Sequence, residues 1–170
     1  MTADADPPPV DDATAGQEGE AATHRRFAVA LFNRAWDLMD RAGRDAEHAG
    51  DADAELVHTA HASLYHWLQV GTPVNAARGE WQCSRVYSVL GRAEPALYHA
   101  RRVLAICAAN GIGDFDLAYA YEALARAHAV AGEHAQARDW LARARDASAD
   151  VADGDDRAAL LADLDTVPGQ

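Results

Sequence analysis

The chain has 170 residues, a formal net charge of −12 and a hydrophobic fraction of 49%, which suits one domain with a real core. The acidic balance argues against non-specific nucleic-acid binding, and the lack of an apolar run of about 18 residues argues against a membrane span. The N-terminus has neither a basic start nor an apolar stretch, so no signal peptide is expected and the cytoplasm is the expected location.

Residues 1–20 carry Asp4, Asp6, Asp11, Asp12, Glu18 and Glu20 with no base, and Pro7, Pro8 and Pro9 interrupt them. This predicts a disordered acidic tail over residues 1–21. From residue 22 the pattern turns helical, with Phe27, Leu31, Trp36 and Leu38 at three- and four-residue steps. Gly50 is expected to end that helix and Asp51 to cap the next, which runs to about residue 70. Gly71, Thr72 and Pro73 break the pattern. A third helix is expected over 75–90, before Gly91, and a fourth from about Pro95 to Asn110 and Gly111. Asp114 is expected to cap a fifth helix reaching residue 131, and a sixth follows over 133–148. Residues 149–170 read as an acidic segment with a short capping helix over 156–164. Between the two ends, residues 22–148 form the repeat domain. The expected class is all-α: about six or seven helices in antiparallel hairpins, stacked as a short solenoid.

The stacking follows from an internal repeat. Gly50, Gly91 and Gly132 are spaced by 41 residues, and the last two keep their surroundings. Arg85, Val89, Gly91, Ala96 and Arg102 reappear as Arg126, Val130, Gly132, Ala137 and Arg143. Glycine permits the tight turn, and the small Ala96 and Ala137 permit close helix crossing. With Tyr87, Gly91, Ala96, Val103 and Leu104 in one unit, and Tyr121, Leu124, Ala125, Gly132, Ala137, Leu141 and Ala144 in the next, the chain resembles the tetratricopeptide repeat family. The family's closing proline is absent, and the period exceeds its usual roughly 34 residues. The runs over residues 60–67, 79–81 and 113–117 are also similar to those of small bacterial proteins with such repeats. The 15 basic residues are all arginines, in an alanine-rich chain, which agrees with a GC-rich bacterial genome.

The resemblance implies a concave groove whose lining positions fall on Arg78, Trp81, Arg85, Tyr119, Glu122 and Arg126. Steps of three and four residues put each trio on one helical face. Arginine presents a planar fork to carboxylate or phosphate, and Trp and Tyr give stackable surface. Such a groove suits an acidic peptide, a partner protein or an anionic small molecule, and needs no cofactor. The competing expectation is internal pairing of Arg85 or Arg126 with Glu80, Glu122 or Asp116.

A second constellation is histidine. His58 and His61 are spaced i, i+3 and are candidate ligands for a divalent metal, in an enzyme or metal protein with a His-, Tyr-, Glu- and Arg-lined pocket between the hairpins. Tyr65, His61 and Glu122 would be its acid–base set. The alternative is that His61 and Tyr65 edge the apolar stripe and hydrogen-bond across the hairpin. Cys83 and Cys107 match no metal or redox spacing and read as buried, reduced thiols. Trp140 and the last hairpin are candidates for a homo-oligomer interface.

Overall fold

The computed structural model describes residues 12–42 and 49–169. It holds seven helices among these residues: α1 (Asp12–Met39), α2 (Ala49–Val70), α3 (Pro73–Val89), α4 (Ala93–Asn110), α5 (Asp114–Val130), α6 (His134–Ser148) and α7 (Gly154–Asp165). No strand occurs among the described residues. The all-α expectation is therefore met: α1 and α2, α3 and α4, and α5 and α6 pair as hairpins. Within this stack α3 packs against both α1 and α5, while α7 lies on α5 and α6. No helix among the described residues is long and apolar enough to cross a membrane.

Local chemistry explains the boundaries. Pro73 supplies the first residue of α3, where its missing N–H costs nothing. The Asn75 side chain accepts from the Thr72 backbone N–H at 2.9 Å and from its hydroxyl at 3.0 Å. Gly91 and Gly132 take φ of +68° and +75°, the left-handed conformation that a side chain disfavours. Each lets the next residue close back: Arg92 N–H donates to Tyr87 O at 2.8 Å, and Glu133 N–H to His128 O at 2.9 Å. The 41-residue repeat is thus the same turn made twice.

Three boundaries differ from expectation. Helix α1 begins at Asp12, so residues 12–21 of the expected disordered tail are helical, while residues 1–11 lie outside the described residues. Beyond the prolines Ala13, Ala15, Gln17, Glu18, Glu20 and Ala21 are good helix formers, and the early Asp12 suits a helix N-terminus. Gly50 is not the end of the first helix. Helix α1 stops at Met39, and Gly50 lies in the first turn of α2. Asp114 does not cap α5, whose N-cap is Gly113. With φ of +53°, Asp114 instead turns its carboxylate to accept the Ala152 N–H at 3.1 Å, which ties the start of α5 to the connection before α7.

Close crossing is achieved with alanine. Ala96, Ala100, Ala118, Ala120, Ala125, Ala127 and Ala144 are fully buried. Buried polar side chains then bond the backbone of the facing helix. Ser63 Oγ donates to Ala28 O at 2.8 Å, Gln82 Nε2 to Phe32 O at 2.9 Å, and Ser84 Oγ to Ala96 O at 3.0 Å. Leu160, Leu164 and Val167 anchor α7 and the residues after it in the same core.

An alanine has open space at both turn glycines, so its cost there is conformational alone. Gly91→Ala and Gly132→Ala are each expected to destabilise by about 1–2 kcal/mol in urea unfolding. Gly19→Ala, on the exposed part of α1, is expected to raise helix content and add up to about 1 kcal/mol. No change for Gly19→Ala would mean that α1 does not extend so far.

Candidate functional site

The six groove positions implied by the repeat do come together, on the facing sides of α3 and α5. Their centre is Glu122, a fully buried carboxylate. It accepts from Trp81 Nε1 at 3.1 Å, Arg85 Nη1 at 3.0 Å and Arg126 Nε at 2.6 Å. Arg85 and Trp81 are one turn apart on α3, and Arg126 and Glu122 one turn apart on α5. Internal pairing with Glu122 is thus what Arg85 and Arg126 do.

Further donors of both arginines, and the Tyr119 hydroxyl, go to α7 and its C-cap Thr166. Arg85 Nη2 donates to Asp163 Oδ1 at 3.1 Å, and the Tyr119 hydroxyl to Asp163 Oδ2 at 3.0 Å. Burial and the adjacent Asp163 push the Tyr119 phenol up, so it stays protonated and donates. Arg126 Nη2 donates to Asp163 O at 2.9 Å and Thr166 Oγ1 at 2.8 Å, and Nη1 to Thr166 O at 3.2 Å. An acidic helix of the chain itself therefore fills the arginine-lined part of the groove.

Beside this filled part a cavity of about 260 Å³ stays open between α1, α3, α5 and α7. Its walls are Trp36, Trp81, Phe115 and Tyr119. Trp81 meets Trp36 at 5.6 Å between ring centroids and Tyr119 edge-on at 5.2 Å, and Phe115 lies 4.6 Å from Tyr119. Arg78 and Asp116 border it, joined through Nε at 2.7 Å and Nη2 at 3.0 Å. That bond, set against partial burial, raises the Arg78 guanidinium pKa. The Arg78 side chain is 51% exposed, so it reaches solvent at the pocket rim.

The histidines lie on the other side of α3. His58 is exposed, and the group of three ligand atoms that the fold brings together includes His61 but not His58. His61 meets Cys83 of α3 and His99 of α4 instead, each offering one ligand atom, all within 4.8 Å of one another. His61 Nε2 and the Tyr87 hydroxyl are 2.9 Å apart, so His61 hydrogen-bonds to α3 of the next hairpin rather than across its own. His99 Nδ1 donates to Glu80 Oε2 at 2.6 Å, and Arg102 Nε to Glu80 Oε1 at 3.0 Å. Burial alone would raise the Glu80 carboxyl, but the bonds from His99 and Arg102 outweigh it and hold the carboxyl below its ordinary range. Burial, then the nearby His99, lowers the His61 imidazole, and burial raises the Cys83 thiol to about 12. Both cysteines are free and buried, as expected.

Tyr65, His61 and Glu122 each have separate partners. Tyr65 is exposed and neighbours the rings of His24 and His66. Trp140 is partly buried, stacked on Tyr121 and under the Arg143 guanidinium at 4.6 Å. The sequence reading missed Cys83, His99, Glu80, Trp36 and Asp163. No spacing flags them, because each joins its partners across helices. No protein-family model, curated protein or solved structure matches the chain.

Two predictions follow from the buried charges. Glu122→Ala leaves Arg85 and Arg126 short of their shared acceptor and is expected to cost about 3–5 kcal/mol in urea unfolding. Both His61 and Glu80 have folded-state values below their unfolded ones, so each stabilises above its unfolded value and is lost as pH falls through the folded one. With chelator present, the melting temperature should fall first below about pH 6.5, from His61, and again below about pH 4.5, from Glu80. His61→Gln should remove the upper step; an unchanged profile would show that His61 carries no such shift.

Proposed function

We propose that this chain is a tetratricopeptide-like binding module that takes an apolar or aromatic side chain, flanked by a carboxylate, from a partner peptide. The observation that carries the reading is the aromatic cavity left beside an otherwise filled groove. Binding pockets for small molecules run to roughly 300–1,000 Å³, and this one, at about 260 Å³, suits one side chain or a small anionic molecule of that size. Trp36, Trp81, Phe115 and Tyr119 offer edges and faces to a ring or a branched aliphatic group.

Arg78 supplies the acidic preference. Asp116 engages Nε and one Nη2 proton, which leaves the Nη1 protons for a second acceptor. A carboxylate next to the inserted side chain would meet them at the rim. Arg85 and Arg126 favour the same preference indirectly, since that stretch of the groove already holds an acidic helix. The side-by-side packing of α1, α3 and α5 and the twice-made glycine turn support the repeat reading on which the module rests.

Peptides selected from a random display library against the full chain test this. The selected sequences should pair an acid with a neighbouring large apolar residue, and their binding should quench tryptophan fluorescence. Arg78→Ala and Phe115→Ala should each weaken binding about tenfold, or roughly 1.4 kcal/mol, with helicity unchanged. Selected peptides that bind both folded variants as tightly as the parent would place the site elsewhere.

A further inference from the structure

We propose that His61, Cys83 and His99 form a zinc-class metal site, with Glu80 as the residue that positions His99. The site is separate from the aromatic pocket and does not rest on the peptide-binding reading. Three different helices, α2, α3 and α4, each bring one ligand atom to a common point, the three within 4.8 Å of one another. Tetrahedral zinc, with metal–nitrogen bonds near 2.0 Å and a metal–sulfur bond near 2.3 Å, spaces its ligands by roughly 3.5 Å. Small side-chain rotations bring this trio to that spacing.

The donor set selects the metal class. One thiolate and two imidazoles are borderline-soft ligands that suit Zn²⁺ and its close relatives and do not suit Mg²⁺ or Ca²⁺, which prefer oxygen. The partner of His99 is the more telling feature. An ionised carboxylate only accepts, so the 2.6 Å contact from His99 Nδ1 to Glu80 fixes the proton on Nδ1. In the neutral ring Nε2 then carries the lone pair. A carboxylate behind the distal nitrogen of a ligating histidine is the usual outer support of a metal-bound imidazole. Glu80 is itself buried, at 4% exposure, and is held by Arg102, so this support is rigid.

When the ion binds, Cys83 loses its thiol proton to solvent, and the thiolate offsets one of the two positive charges; Glu80, which also pairs with Arg102, lies behind His99. The site leaves one coordination position for water or for the Tyr87 hydroxyl, which lies 2.9 Å from His61 Nε2. His61 and Tyr87 are only partly buried, which gives the ion its way in.

Cobalt titration of the chelator-treated full-length protein tests the site. One equivalent of Co²⁺ should bind and give a thiolate-to-cobalt charge-transfer band in the near ultraviolet, which Zn²⁺ then bleaches. Cys83→Ser should abolish the band; His61→Gln and His99→Gln should weaken cobalt affinity at least tenfold. Glu80→Gln should keep the band but weaken affinity about tenfold, and His58→Ala should leave both unchanged. Absence of the band in the parent, or its survival in Cys83→Ser, overturns the site. If Cys83→Ser or His99→Gln lacks the parent's helicity, His61→Gln at the partly exposed edge decides: parental affinity in that folded variant overturns the site, and a tenfold loss supports it.

Discussion

A single buried carboxylate organises the groove side of this protein. Glu122 is fully buried, and an ionised group in that position is tolerated only when cations and donors surround it. Trp81, Arg85 and Arg126 do so. Bringing two guanidinium groups inward creates a second demand, because a half-satisfied arginine is as costly as a half-satisfied acid. Asp163 and Thr166 meet it, and with them α7 is drawn onto the stack. Glu122 and Asp163 carry two negative charges against the two of Arg85 and Arg126, so the buried cluster is neutral as a whole.

Helix α3 contributes to both side-chain clusters because it is buried on opposite faces. Arg78, Trp81 and Arg85 follow one another at three- and four-residue steps toward α5 and the aromatic pocket. Glu80, Cys83 and Tyr87 follow the same steps about 180–200° round the helix, given roughly 100° per residue, and face α2 and α4. A helix used in this way has no polar surface to spare, and Glu80, Gln82, Ser84 and Ser88 are indeed buried beside its apolar residues. Phe32 O accepts from Gln82 Nε2 and Ala96 O from Ser84, while Gln82 Oε1 and Ser88 Oγ are buried with no hydrogen-bond partner among the described residues. Helix α2 lies close against α3 at Gly79, where an added Cβ would lie 2.8 Å from Leu64 Cδ1.

The parts of this architecture legible in the sequence are those governed by neighbours in the chain. Glycine turns at 91 and 132 and the apolar steps of each helix depend on a few adjacent residues, and the helices formed accordingly; Pro73, read as a break, is instead the first residue of α3. Gly50 misled because a glycine at repeat spacing looks like a turn, whereas here it lies in the opening of a helix. The six groove residues were legible as a face, through the repeat, but their partners were not. Arg85 and Asp163 are 78 residues apart, so nothing local announces that pair. The histidine–cysteine cluster shows the same limit. His61, Cys83 and His99 share no motif spacing, and only the hairpin packing makes them neighbours; the i, i+3 pattern of His58 and His61 pointed at a residue that the fold leaves in solvent.

The acidic C-terminus looks different once its charges are placed on α7. Asp153 caps the helix, accepting from the N–H groups of Asp155 and Asp156, and those two acids sit in the first turn, where the helix dipole favours them. Asp163 and Asp165 sit at the opposite end, where the dipole opposes them. A twelve-residue helix with acids in its last turn is marginal in isolation. Docking reverses the balance: Arg85 takes Asp163, Arg145 takes Asp165 at 2.9 Å, and Arg126 caps the final carbonyls with positive charge. The residues that would fray α7 alone are the ones that attach it. Helix α7 therefore owes its last turn to the arginines of α3, α5 and α6, and those arginines owe part of their charge compensation to α7. That mutual dependence leaves the aromatic pocket as the part of the groove face not claimed by the chain itself.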